Sequence, residues 1–274
     1  LSSILTNSSA MVALSTLNMV NKGLNDTQTR VSTGLAIGSG KDNAAYFAIS
    51  ETMKGDSGMF KAINEGLTST KNSVATARLG AETVKDLASD FSERVAFAQG
   101  QGIDLSEVQA ELDSLVDQIG AAIDQATFNG EDLVSGAAAT QTVVTGVTRS
   151  GGTFAATTIT FQSVDLGAIQ TALDAIDLTT STDLAADLAT AETQLGNAIS
   201  AATSLGVTEK TLEGQQSFLE NLTDTLDSGV SAMVDADMEQ EAARLQAYQV
   251  QQQLATQSLS IANQAPQNIL SLFR

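Results

Sequence analysis

Near both ends of the chain, apolar residues recur at alternating steps of three and four. At the start the series is Leu14, Leu17, Asn21, Leu24, Gln28, Val31 and Leu35. Toward the end it is Ala243, Ala247, Val250, Leu254, Gln257 and Ile261, with a second set, Met238, Ala242, Leu245 and Leu259, beside it. That spacing keeps one seam of a helix turned toward a partner helix. Each terminal helix carries more apolar surface than a lone chain can bury, so both ends are expected to be completed by neighbours.

The same rhythm organises most of the remaining sequence. A first helix is predicted over residues 9–35, ended by Gly34, Gly38 and Gly40, with Asp42 as the N-cap of a second. The second covers residues 44–99, and its clearer half shows Val74, Ala77, Ala81, Val84, Ala88, Phe91, Val95 and Ala98. A third starts near Ser106, with Val108, Leu112, Leu115, Ile119 and Ile123 on one face, and stops before a tight turn at Phe128-Asn129-Gly130. Residues 142–149 and 153–162 are rich in Thr, Val, Ile and Phe, and Ser150-Gly151-Gly152 between them reads as a hairpin turn. A short helix is expected around residues 168–176. From Asp183 to Met233 the three-four rhythm is unbroken, which predicts a helix about 75 Å long. So long a helix must lie alongside the earlier ones.

The expected fold is therefore mainly α: an elongated rod of coiled-coil-like helices, N- and C-terminal segments paired, with a small β-hairpin region at the distal end. Nesting gives three regions: residues 1–37 with 238–274, residues 38–135 with 183–237, and residues 136–182 at the tip.

Composition narrows the function. The 274 residues carry a net charge of −19, and between Arg94 and Lys210 the only basic residue is Arg149. Such an anionic middle repels phosphate backbones and anionic lipid, so neither nucleic acid nor a membrane surface is an expected partner. No apolar run is long enough for a membrane span, and the first residues lack the basic flank and apolar block of a cleaved signal peptide. Cysteine and histidine are absent. Thiolate chemistry, ordinary zinc sites and the commonest general base go with them, so neither an enzyme nor a cofactor is expected. Two loop-like stretches superficially suggest ligand sites. Residues 34–42 have the wrong glycine spacing for a phosphate loop, and Asp42 stands where a Ser or Thr would hold magnesium. Residues 235–239 lack the glycine of a calcium loop. Both read as joints between helices: Gly34, Gly38 and Gly40 in one, Asp235 and Asp237 in the other. Three N-glycan acceptor patterns, at Asn7, Asn25 and Asn221, lie on or beside helical faces expected to be buried and are read as chance matches.

Specific residues carry a family resemblance. Arg30-Val31-Ser32-Thr33-Gly34-Leu35, followed by Lys41-Asp42-Asn43-Ala44-Ala45, resembles the N-terminal signature of bacterial flagellins, and Phe128-Asn129-Gly130 resembles the end of their N-terminal region. Asp235-Ala236-Asp237 and residues 262–274, Ala-Asn-Gln-Ala-Pro-Gln-Asn-Ile-Leu-Ser-Leu-Phe-Arg, resemble their C-terminal signature. The matches keep the family's order and cover about residues 1–135 and 183–274.

The resemblance implies a subunit of an extracellular flagellar filament, exported unfolded through a type III apparatus without loss of a signal. Terminal helices would form an inner tube and the next helical layer an outer one, while the short middle faces solvent. The implied partners are other copies of the chain, an export chaperone on the C-terminal segment and a cap that assists polymerisation. Packing between copies is expected at Leu14, Leu17, Leu24, Val31, Leu245, Val250, Leu254, Leu259, Ile261, Leu270, Leu272 and Phe273. Thr145, Thr148, Ser150 and Thr153 are candidates for glycosylation by expected exposure. Some flagellins are recognised by an innate immune Toll-like receptor through an Arg, a Leu and a Glu. Ungapped alignment places these at Leu87, Phe91 and Glu111, with the Arg lost, so recognition is expected to be weak; a gap would bring Arg94 to that position. Two alternatives are a flagellin-like protein of the hook–filament junction and, in another class, a helical signalling hairpin.

Overall fold

The computed structural model describes the backbone of residues 7–150 and 153–271 and the side chains of residues 7–148 and 155–264. The chain divides into two compact units, Leu1–Ser57 with Thr225–Arg274, and Gly58–Asp224.

The first unit is built on α1 (Ser8–Thr33) and α6 (Met238–Ser271), which pack together. Helix α1 begins where the Asn7 side chain accepts from Ala10 N at 3.1 Å. It ends at Gly34, whose φ of 75° is left-handed and whose N–H donates to Arg30 O at 2.8 Å. Only a residue without Cβ takes that conformation without strain. Helix α6 begins at Asp237, whose Oδ1 accepts from Glu239 N at 3.0 Å and Gln240 N at 3.1 Å. Glu239 and Glu241 in its first turn complement the positive end of the helix dipole.

Contacts between α1 and α6 run in opposite order along the two helices. Asn7 Nδ2 donates to Ala262 O at 2.8 Å, Gln252 Nε2 to Asn21 Oδ1 at 2.6 Å, and Arg30 pairs with Glu241 at 3.4 Å. The pair is antiparallel. Along α1 the positions that lose exposure include Ala13, Leu17, Val20, Leu24, Thr27 and Val31. Along α6 they are Glu241, Leu245, Tyr248, Gln252, Ala255, Leu259 and Ala262.

The second unit holds the large apolar core. It contains α2 (Ala44–Ala98) from Gly58 onward, α3 (Leu105–Gln125), two hairpins, α4 (Leu166–Asp174), and α5 (Leu184–Val234) as far as Asp224. Strands β1 (Thr127–Phe128) and β2 (Glu131–Asp132) pair across Asn129 and Gly130, whose φ values of 52° and 81° make the turn. Strands β3 (Thr140–Ser150) and β4 (Thr153–Gln162) form the longer antiparallel hairpin, with a bulge between Val144 and Gly146. Every residue named in the clearer half of the second predicted helix is buried, from Val74 to Ala98. Helix α5 adds one core residue every seventh position, Ala191, Ala198, Leu205, Leu212 and Leu219. Each fully buried Leu contributes about 1.5–3 kcal/mol.

Polar ties fix the smaller elements to this core. Gln215 Nε2 donates to Thr145 O at 2.9 Å, holding the long hairpin on α5. Gln109 of α3 accepts from Leu178 N at 2.9 Å and donates to Ile176 O at 3.2 Å, securing the loop after α4. Arg78 spans from α2 to Glu209 of α5, also at 2.6 Å from Glu82.

One predicted cap is corrected. Helix α2 is capped by Asn43, whose Oδ1 accepts from Ala45 N at 3.1 Å and Tyr46 N at 3.3 Å. The Asp42 carboxylate is already engaged, accepting from Gly38 N, Ser39 N and Ser39 Oγ at 3.0–3.2 Å.

Candidate assembly surface

Residues 1–21 contain no charged residue, and neither do residues 245–271. When α1 and α6 pair, one face of each is covered and the other is left in solvent. The uncovered faces carry Met11, Val12, Leu14 and Met19 on α1 and Met238, Val250, Leu254 and Ile261 on α6. Leu254 and Ile261 are 62% and 61% exposed, Val12 and Met19 67% and 74%. Isolated exposed apolar residues are ordinary; a run of them along helices with long charge-free stretches marks an interaction surface. Between the helices a shallow groove is lined by Val12, Thr16 and Val20 facing Leu254, Ala255 and Ser258.

The twelve residues expected to pack between copies fall into three groups. Leu14, Val250, Leu254 and Ile261 are exposed, whereas Leu17, Leu24, Val31, Leu245 and Leu259 are half-buried within the chain. The side chain of Leu270, and all of Leu272 and Phe273, lie outside the described residues. The first heptad read in the C-terminal segment, Ala243 to Ile261, is exposed throughout. Of the seam facing α1 the apolar pattern marks only Leu245 and Leu259, because Glu241, Tyr248 and Gln252 interrupt its apolar character. Its signal was the unbroken four-three spacing itself. Met11, Val12 and Met19 were also missed, since they lie off the N-terminal heptad.

The two joints meet each other. Leu35 and Asp235 form an antiparallel bridge, Ala36 N donates to Val234 O at 2.7 Å, and Ala236 N donates to Gly34 O at 2.8 Å. Within the two segments read as joints, the residue beside each helix end is thus strapped to the other. Among the three glycines of the first segment only Gly34 is left-handed. Ser39 Oγ, then the N–H groups of Gly38 and Ser39 and the charge of Arg30, hold the Asp42 carboxyl below the ordinary carboxylate range.

In the long hairpin, Thr145 is buried and its hydroxyl donates to Thr157 O at 3.3 Å. Exposure, the ground for naming Thr145 a glycosylation candidate, therefore does not hold there. Thr148 is exposed; the side chains of Ser150 and Thr153 lie outside the described residues. Phe91 is fully buried in the core and offers no partner a contact. Arg94 instead pairs with Glu111 at 3.2 Å across α2 and α3. Among the described residues no group of carboxylates is placed to hold a metal ion, and no helix is long and apolar enough to cross a membrane.

Long amphipathic helices, a Thr-rich hairpin and a terminal helix pair with long charge-free stretches define a mainly helical protein with an exposed apolar surface. The family described as the bacterial flagellin N-terminal helical region matches residues 4–139, and that of the C-terminal helical region matches residues 188–273. A flagellin of Brucella melitensis biotype 1 is 38% identical over 281 residues, covering 100% of both chains. Flagellin FljM of Caulobacter vibrioides is 35% identical over 277 residues, covering 100% of this chain and 99% of the relative. Flagellin C of Rhizobium meliloti is 33% identical over 320 residues, with both chains covered completely. The chain belongs to the bacterial flagellin family and is a structural subunit of the flagellar filament. Nothing in these matches favours the junction-protein or signalling-hairpin alternative.

Proposed function

We propose that this subunit polymerises through its terminal pair, the outer faces of α1 and α6 being buried by further copies of the chain. The supporting observation is the run of exposed apolar residues on two helices whose charge-free stretches cover 1–21 and 245–271. Burying several such residues at about 1.5–3 kcal/mol each offsets the cost of ordering and association only when neighbours cover both faces. Residues 1–37 and 238–274 then form the inner layer, 38–135 and 183–237 the outer, and 136–182 faces solvent. Leu14, Leu17, Leu24, Val31, Leu245, Val250, Leu254, Leu259, Ile261, Leu270, Leu272 and Phe273 contribute to packing, the half-buried ones by completing contacts begun within the chain.

The proposal places the subunit in an extracellular filament, reached without a cleaved signal. It includes an export chaperone and a filament cap as partners, and no catalytic role. Glycosylation is proposed only for Thr148, Ser150 and Thr153. Recognition by the innate immune receptor is proposed to be weak, in keeping with the buried Phe91 and the engaged Arg94. Deletion of residues 240–274 tests the assembly mechanism. The truncated chain should keep the helical signal of its second unit yet add nothing to filament seeds. Normal elongation by the truncated chain would sink the proposal.

A further inference from the structure

We infer that the α1–α6 pair carries a register lock centred on Glu241, which fixes the composite apolar surface offered to the next copy. Its consequence for assembly rests on the filament reading above; the lock itself is a property of one chain.

Glu241 is the only charged residue among the buried polar residues described, its side chain 5% exposed. Its Oε1 accepts from Arg244 at 2.8 Å and from Arg30 at 3.4 Å, while its Oε2 has no hydrogen-bond partner. Burying a carboxylate is unfavourable unless it is paired, and a buried charge adds little to stability over an apolar residue. The best-attested use of such a group is to specify register. Arg244 lies on the same helix and moves with Glu241 in any slip. Arg30 alone reports the position of the opposite helix.

Two further contacts are keyed to the same register. The Tyr248 ring lies over Gly23, the one glycine in α1, where an added Cβ would stand 2.7–3.0 Å from the ring. The Gln252 amide donates to Asn21 at 2.6 Å. Sliding α6 by one heptad in one direction sets Glu241 against Gly23, Tyr248 against Thr16 and Gln252 against Leu14. In the other direction Glu241 passes the end of α1 and Tyr248 meets Arg30. The first slip leaves a buried carboxylate without its cross-helix partner, and the second carries Glu241 off α1 and away from Arg30. The apolar pattern alone does not prevent them, because Leu17, Leu24 and Val31 repeat every seven residues. A one-heptad slip would move Val250, Leu254 and Ile261 about 10 Å past Met11, Val12 and Met19. That would present a different surface to a partner.

The chain has no cysteine, so engineered disulfides read register cleanly. In full-length subunit added to filament seeds, the pair Asn21→Cys with Gln252→Cys reports the observed register. Asn21→Cys with Leu245→Cys, or with Leu259→Cys, reports the two slips. The native pair should dominate. Glu241→Arg or Arg30→Glu should cut the native cross-link roughly tenfold or more relative to the slipped ones. Together, Arg30→Glu with Glu241→Arg should restore it, and elongation on filament seeds should follow the native cross-link. If a charge reversal costs overall helicity by circular dichroism, Glu241→Gln replaces it, with a smaller but distinct loss of native cross-link expected, because the amide keeps an acceptor for Arg30 but removes the buried charge that penalises a slip. Unchanged cross-linking in the single variants, or no recovery in the double, overturns the lock. Failure of the Asn21→Cys with Gln252→Cys chain, its charges otherwise intact, to elongate seeds while cross-linking natively would overturn the filament reading and leave the lock standing.

Discussion

At Gly34 a single backbone angle decides whether α1 can stop and turn into the strap. Because φ is 75° there, Gly34→Ala should cost about 1–2 kcal/mol. Gly38 has no such conformation and open space around it, so Gly38→Ala should be neutral or slightly stabilising. Thermal melting of the two variants checks the contrast, and equal losses would refute the assignment. Asp42 gives a pH signature in the same segment. Its folded-state pKa is lowered, chiefly by the Ser39 hydroxyl. Its contribution is therefore complete above the ordinary value of 3.8, declines as pH falls below that, and is gone once pH passes the lowered folded value. Melting wild type and Asp42→Asn across about pH 5 to 2 should show their difference shrinking toward the acid end. The Asp42 cap was misread from sequence because two adjacent residues, Asp42 and Asn43, both suit an N-cap. Which of them caps is set by the path of the backbone at Gly38 and Ser39, and composition does not encode that path.

Among the helices, α2, α3 and α5 were legible because their seams are apolar over many turns and their partners lie in the same chain. Helix α6 is different. Its outer face is more apolar than the face it turns toward α1, so an apolar pattern ranks the two faces in the wrong order for a single chain. The pattern makes sense once the outer face is assigned to neighbours. Leu254→Asp should therefore leave the melting of the isolated subunit within about 0.5 kcal/mol, as for other exposed positions. The same variant should block elongation on seeds, because a carboxylate would be buried there unpaired. A destabilised subunit, or normal elongation, would contradict the assignment. The long hairpin shows the limit in the other direction. Its strands were readable from Thr, Val and Ile content, but the burial of Thr145 follows from the bulge at Val144–Gly146 and the Gln215 contact, neither of which has a local signal.

For the molecule as a whole, charge and contact surface are segregated. The net charge of −19 lies mostly away from the terminal pair, so copies approaching each other repel one another. Raising salt from about 0.01 M to 0.15 M shortens the screening length from about 30 Å to about 8 Å. Elongation on seeds should accelerate several-fold over that range, measured by light scattering. A rate that falls with salt would point to attractive charge contacts instead.

The order and type of the elements, the burial of the α2 and α5 seams, and the absence of thiol or imidazole chemistry were determined by the sequence alone. All follow from local periodicity and residue type, which need no knowledge of distant neighbours. Family membership was legible in the same way, from short motifs at both ends. Which face of α6 meets α1, the strap between Gly34 and Asp235, and the convergence of Arg30 on Glu241 were decided only by tertiary structure. These contacts join residues about two hundred positions apart, and nothing within one helix specifies which turn of a distant helix will lie opposite it.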